Sequence, residues 1–165
     1  MLESMDMRGR CTLRLTDADG RVVHRQVQGN RIVKSGRQLV AQLFGGVTAG
    51  TPPTQVSHVA VGTDGTAPTD DDIALHAQRG DPNPITDVSY TDFDEPVPAS
   101  TDVIKRTRVS VTAVFDFDQA NGPDPLREAG VLTAATGGVL YNRVVFDPVT
   151  KTNAFKLTVL WDIVF

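Results

Sequence analysis

The closing run KLTVLWDIVF is the feature that most limits how this chain can fold. Apolar and mostly polar residues alternate from Phe155 to the last residue, Phe165. Period-two alternation is the pattern of a β-strand with one apolar face. That face comprises Phe155, Leu157, Val159, Trp161, Ile163 and Phe165. Burying six such side chains contributes roughly 9–18 kcal/mol before opposing costs. The strand is therefore predicted to be central in a sheet or to lie at a subunit interface.

Further alternating segments predict that the strands are antiparallel. Residues 105–118 read as a second long strand, and residues 129–146 read as two strands joined by a turn at Thr136-Gly137-Gly138. Residues 11–27 form a third pattern of this kind, a hairpin around the turn DADG. The predicted fold is all-β, mainly an antiparallel β-sandwich with one or two short helices, in a single domain over residues 1–165.

Two helices and one long loop complete the prediction. SGRQLVAQLFGG indicates a short helix, with Ser35 and Gln38 at capping-box spacing. PTDDDIALHAQ predicts one or two helical turns, with Thr69 as the N-cap. Residues 80–101 are rich in Pro, Asp, Ser and Thr and predict a long loop, with a possible edge strand inside it.

Composition excludes several classes of protein. The chain has 165 residues, 40% of them hydrophobic, which is enough to bury a core without disulfides, and it contains one cysteine. Its net charge of −4 gives no broad basic field for nucleic acid. No apolar run approaches the ~18 residues of a membrane helix, and we expect no secretory signal at the N-terminus.

No motif favours catalysis, a metal or a cofactor. The acidic triplet Asp70–Asp72 is interpreted as helix-end acidity, because successive helical residues point about 100° apart and do not converge on one ion. His24, His58 and His76 stand at irregular intervals, without the spacing of a zinc site. Cys11 has no marked partner histidine, and no serine lies in a GxSxG motif. We therefore expect no enzyme activity and no cofactor.

Two segments of the sequence resemble parts of a known family of proteins. VSHVAVGTDGTAPTDDDIAL resembles a stretch of tailed-bacteriophage virion proteins in which a strand and a VGTG-like turn precede TAPT. Residues 117–165 resemble the C-terminal signature of the same proteins, with an ANG turn, an EAG strand, a glycine turn and a closing strand that contains Trp. Pro123-Asp124-Pro125 departs from that pattern.

The resemblance implies a non-enzymatic structural component of a tailed-phage particle. It implies a homo-oligomer, a trimer or ring, in the tail, neck or baseplate region, with other phage structural proteins as partners and no membrane or nucleic acid bound. The protein would be made in the cytoplasm of the host bacterium and reside in the virion. The implied structural and assembly residues are Asn121, Gly122, Glu128, Gly130, Arg143, Phe146, Trp161, Ile163 and Phe165.

Three alternatives remain open at this stage. One is a hydrolase, which would need a pocket of clustered His, Asp or Glu residues and would draw on His24, His58 and His76. The other two are binding or structural roles. The first is a receptor- or glycan-binding tail-fibre module that uses Tyr90, Phe93 and nearby carboxylates of the predicted loop. The second is a decoration protein of the capsid surface, because the same fold serves in several parts of a particle.

Overall fold

The computed structural model describes residues 7–165. These residues form eight strands and one helix. In chain order the elements are β1 (Arg8–Thr16), β2 (Val22–Ile32), α1 (Lys34–Gly45), β3 (His58–Gly62), β4 (Asn83–Pro96), β5 (Val103–Phe115), β6 (Leu126–Leu132), β7 (Leu140–Val149) and β8 (Lys156–Val164). The prediction of an all-β, antiparallel protein is confirmed. The described helix is too short and too polar to cross a membrane.

The strands form a closed barrel in the order β1-β2-β7-β6-β3-β4-β5-β8, and the predicted two-sheet sandwich is not what the structure has. Two narrow seams account for the difference. β2 joins β7 through two residue pairs, and β3 joins β4 through another two. Without these four pairs the barrel would divide into a five-stranded and a three-stranded sheet. Closure is thus a long-range property that strand patterns do not specify.

The closing strand occupies the centre of the larger half of the barrel. β8 pairs along its length with β1 on one side and β5 on the other, which places Trp161 between Cys11 and Val111. Four of its six predicted apolar residues are buried, and Trp161 is fully enclosed. Phe155 is partly buried against the core. Phe165 differs from the prediction, since 39% of it is exposed.

The predicted loop at residues 80–101 is largely a strand, which corrects the sequence prediction. β4 extends over 14 residues and pairs with β5 from Ile85 to Pro96. Pro84 and Pro96 lie at the ends of β4, and Pro98 lies in the turn that follows, so no proline interrupts the middle of the ladder. Composition indicated a loop because it does not record where in a strand the prolines fall.

Of the two predicted helices only the first forms. α1 begins after Val33 without a side-chain cap, and the Ser35 hydroxyl instead donates to the Leu140 carbonyl at 2.7 Å. Residues 63–79, here called the strap, contain a turn at Asp70–Asp71 but no helix. Leu75 of the strap packs over a small apolar cluster outside the main core. The strap therefore covers the outer side of β6 and β7.

Candidate functional site

A fully buried arginine lies at the centre of a polar network between the strap and the barrel. Arg143, on β7, has no exposed side-chain surface. Its Nε donates to Glu128 at 2.8 Å, and its two terminal nitrogens donate to Asp72 and Asp64, each at 3.1 Å. A fourth hydrogen bond, of 3.0 Å, reaches the Thr66 carbonyl of the strap. One cation is thus shared among three carboxylates, two of them contributed by the strap.

Glu128 fastens the other end of the strap to the barrel. This carboxylate is fully buried on β6 and accepts hydrogen bonds from the backbone N–H groups of His76 at 3.1 Å and Ala77 at 2.7 Å. Gly62 lies directly beneath, since an added Cβ there would be 2.5 Å from both the Glu128 carboxylate and the Ala77 carbonyl. Close approach of strap and barrel therefore depends on a glycine and on a paired charge.

Hydrogen bonds within the network favour the ionised form of the two strap carboxylates, Asp64 and Asp72. Burial alone would raise the pKa of Asp72, but hydrogen bonds from Thr69, Arg143 and His76 together hold it below the ordinary value. The pKa of Asp64 is lowered chiefly by hydrogen bonding to Thr66, with His76 adding to the effect. The carboxylates and the buried guanidinium therefore stabilise each other in the charged form, and neither would be stable in this position without the other.

The Arg143 network links the strap to the barrel. Each terminal group of Arg143 already has an acceptor, and no described group of three or more His, Cys, Asp or Glu residues is arranged to hold a metal ion. His24 contacts Gln26 and His58 contacts Ser57, so neither joins His76 in the network. The structure thus assigns Arg143 and Glu128 the attachment of the strap to the barrel.

A second polar cluster organises the loop between β5 and β6. Lys151 is 1% exposed, and its amine donates to the Asp116 carbonyl at 2.8 Å and to the Asn121 side chain at 2.9 Å. Burial lowers the pKa of this amine, while Asp116 and Asp118 partly oppose the shift. An added Cβ at Gly122 would come within 1.8 Å of the Arg79 guanidinium. Asn121 and Gly122 therefore shape this loop.

The other predicted residues contribute to packing. Gly130 lies against Leu75 of the strap and Leu140 of β7, with no room for a Cβ. Three more belong to the buried core, namely Phe146, Trp161 and Ile163. Cys11 is also buried, and burial raises the pKa of its thiol, so it is not a reactive thiolate. The role of all nine predicted residues in assembly remains a prediction.

The clearest surface feature is an apolar groove at the end of the barrel beside α1. Its volume is about 240 Å³. It is lined by Leu39 and Leu43 of α1 and, from the barrel, by Tyr90, Ile163 and Phe165 among others. Tyr90 is 71% exposed and Phe44, next to Leu43, is 96% exposed. Single exposed apolar side chains are ordinary, but a patch of several large ones around one groove is typical of an interaction site.

Tyr90 and Phe93 do not form one binding platform. They are an odd number of residues apart on β4, so their side chains point to opposite sides of the strand. Tyr90 lines the apolar groove, whereas Phe93 lies beneath the Arg108 guanidinium, 5.6 Å from the ring centre. The geometry therefore does not favour the sugar-binding arrangement considered from the sequence.

Sequence reasoning missed the acidic partners of Arg143. Asp72 was assigned to a helix end and Asp64 to no role, although the strap brings both to the same guanidinium. A usable signal was present in YNRVVF and EAGVL, where Arg143 and Glu128 are charged residues at buried strand positions. Two such residues of opposite sign are most simply explained by an ion pair.

Comparison with known proteins adds no relative. No protein-family model, curated protein or solved structure matches the chain. The resemblance to phage virion proteins therefore stands on the quoted residues alone.

Proposed function

We propose that this protein is a non-enzymatic structural component of a tailed-phage particle, in the tail, neck or baseplate region, and that it works as a homo-oligomer. The quoted motifs support the phage assignment, and the saturated Arg143 network supports a role without catalysis. The apolar surface beside α1 carries the argument for assembly.

The area of that surface is close to what a subunit interface requires. Five large apolar residues at the groove and its rim are 39–96% exposed, namely Leu43, Phe44, Val88, Tyr90 and Phe165. Aromatic side chains present roughly 150–250 Å² each, so together these residues expose on the order of 600 Å². A standard interface uses about 800 Å² per partner. A second copy of the chain is the occupant we assign, with Phe44 as the protruding residue.

Measurement of oligomeric state tests the proposal directly. The purified protein is expected to give a single oligomer larger than a monomer by light scattering at micromolar concentration. Phe44→Ser should weaken self-association by about tenfold or more, because a protruding aromatic is a typical interface hot spot. Val22→Ser is the matched control, since Val22 is 51% exposed outside the groove.

A second measurement addresses location. Mass spectrometry of purified particles should detect the protein as a virion component. A chain that stays monomeric and is missing from particles would contradict the proposed function as a whole. A monomer that is nevertheless found on particles would retain the virion role and exclude the homo-oligomer.

A further inference from the structure

The outer face of the five strands β2, β1, β8, β5 and β4 carries more basic than acidic side chains. In β1 the residues facing the core are Cys11, Leu13 and Leu15, so Arg10 and Arg14 face outward. Register places further charged residues on the same outer face. The basic ones are Arg8, Arg10, Arg14, Arg25, Arg106, Arg108 and Lys156, and the acidic ones are Asp87, Glu95, Asp162 and, just after β5, Asp116, which pairs with Lys156 at 3.4 Å. A chain of net charge −4 thus carries a basic side.

Two of these arginines are forced together without a counter-charge. Arg14 and Arg25 are direct cross-strand partners, which puts their Cβ atoms about 5 Å apart. Like charges in this position destabilise a sheet. Among the described residues neither makes an ion pair, whereas Arg10 is paired with Asp162 at 3.2 Å. Both arginines line a surface depression of about 280 Å³, together with three threonines, Leu160 and the ion pair of Arg10 with Asp162.

On the opposite side of the same barrel, the strap region carries two exposed carboxylates without an ion-pair partner among the described residues. The strap lies over β6 and β7, and β6 is diametrically across the barrel from β8. Asp71 on the strap and Asp81 just beyond it are exposed and make no ion pair with any described residue. Opposite charges on opposite sides of one subunit suit head-to-tail contacts, which generate rings when the rotation closes.

We propose that the face centred on Arg14 and Arg25 is an assembly surface that binds the carboxylates of the strap region, Asp71 and Asp81, in a second copy of the chain. This inference rests on the proposed homo-oligomer and assigns it a second, electrostatic contact. Nucleic acid is the less favoured ligand, because the basic face offers no exposed aromatic rings for base stacking beside Arg14 and Arg25.

Charge reversal tests the assignment. Arg14→Glu/Arg25→Glu should raise the dissociation constant of the oligomer at least about tenfold, since like charges would then face each other. Lys105→Glu/Arg21→Glu is the matched control, because it makes the same net charge change at exposed positions outside both the Arg14–Arg25 depression and the strap, and it should change the constant less than about threefold. Circular dichroism and melting temperature establish that each variant folds. If the reversal fails to fold, Arg14→Gln/Arg25→Gln replaces it.

Complementation gives the decisive outcome. Asp71→Arg/Asp81→Arg should also lose self-association, and mixing it with Arg14→Glu/Arg25→Glu should restore a mixed oligomer. Raised salt should weaken wild-type assembly, because exposed charges are screened. An oligomer unaffected by the Arg14 and Arg25 reversal would overturn this inference and leave the proposed function standing. Arginine-dependent binding of a nucleic acid, without an effect on self-association, would also overturn it.

Discussion

Replacement of Arg143 by methionine is the sharpest test of how the strap is held. Methionine has a similar length and no charge, so Arg143→Met leaves the fully buried Glu128 and the nearly buried Asp72 without their cation. Four hydrogen bonds of 2.8–3.1 Å are lost with it. The strap should then detach more readily than the barrel unfolds, because Arg143 binds three of its residues directly.

The expected loss can be bounded. Removal of one partner of a buried ion pair costs about 3–5 kcal/mol, since the remaining charge is left desolvated. For a domain of this size each kcal/mol lowers the melting temperature by about 2–4 °C, so the expected fall is roughly 6–20 °C. That is a large part of the ~5–15 kcal/mol stability of a typical domain.

A double-mutant cycle separates the pair from simple packing. Glu128→Gln removes the charge but keeps an acceptor for the N–H groups of His76 and Ala77. The double variant should therefore be more stable than the sum of the two single losses predicts, by about 1 kcal/mol or more. Urea unfolding at neutral pH gives the free energies, and limited proteolysis after Arg79 reports on release of the strap.

Two results would refute this reasoning. The first is a loss of less than about 1 kcal/mol for Arg143→Met, which is the range of an exposed ion pair. The second is strict additivity in the cycle, which would mean that the guanidinium and the Glu128 carboxylate are energetically independent.

Three further predictions concern the core, the helix and pH. Trp161→Asp should prevent soluble folding, since an unpaired charge would sit in the barrel interior, and a soluble, fully assembled variant would disprove the central position of β8. Gly36→Ala should lower the melting temperature, although alanine favours helices, because the added Cβ would lie 1.9 Å from the Tyr141 carbonyl of β7. Gly45→Ala is the control, since the space around Gly45 is open and this variant should not lower the melting temperature. Acidification should destabilise the protein below about pH 4, because the folded pKa of Asp72 is lower than the unfolded one and protonation then favours the unfolded chain. A melting temperature that is constant between about pH 5 and pH 3, or an equal fall in Arg143→Met, would argue against this linkage.

Local patterns accounted for much of the framework. Alternation predicted β8 and β5, the paired glycines predicted the turn before Leu140, and the apolar stripe predicted α1. The limits appeared where a residue's position within an element mattered. The prolines at 80–101 indicated a loop, yet they lie at the ends of β4 or outside it. Ser35 fitted a capping box, yet its hydroxyl bonds to the carbonyl of Leu140, 105 residues away along the chain.

For the candidate site, too, the sequence could indicate some residues but not their contacts. Arg143 and Glu128 could be singled out from the sequence, since charged residues in apolar strands need partners, but their partners could not. Asp72 is 71 residues and Asp64 is 79 residues from Arg143, and only the path of the strap brings them together. The apolar groove likewise combines α1, β4 and the last residue of the chain.

The sequence by itself determined which segments become strands and which faces of them are apolar, because those properties depend on neighbours one to four residues apart. Tertiary structure alone decided that the strands close into a barrel, that a strap is pinned over one side by a buried arginine, and that Arg14 stands opposite Arg25. Each of these depends on register between distant segments, which is set by the packing of the whole chain and not by any local pattern.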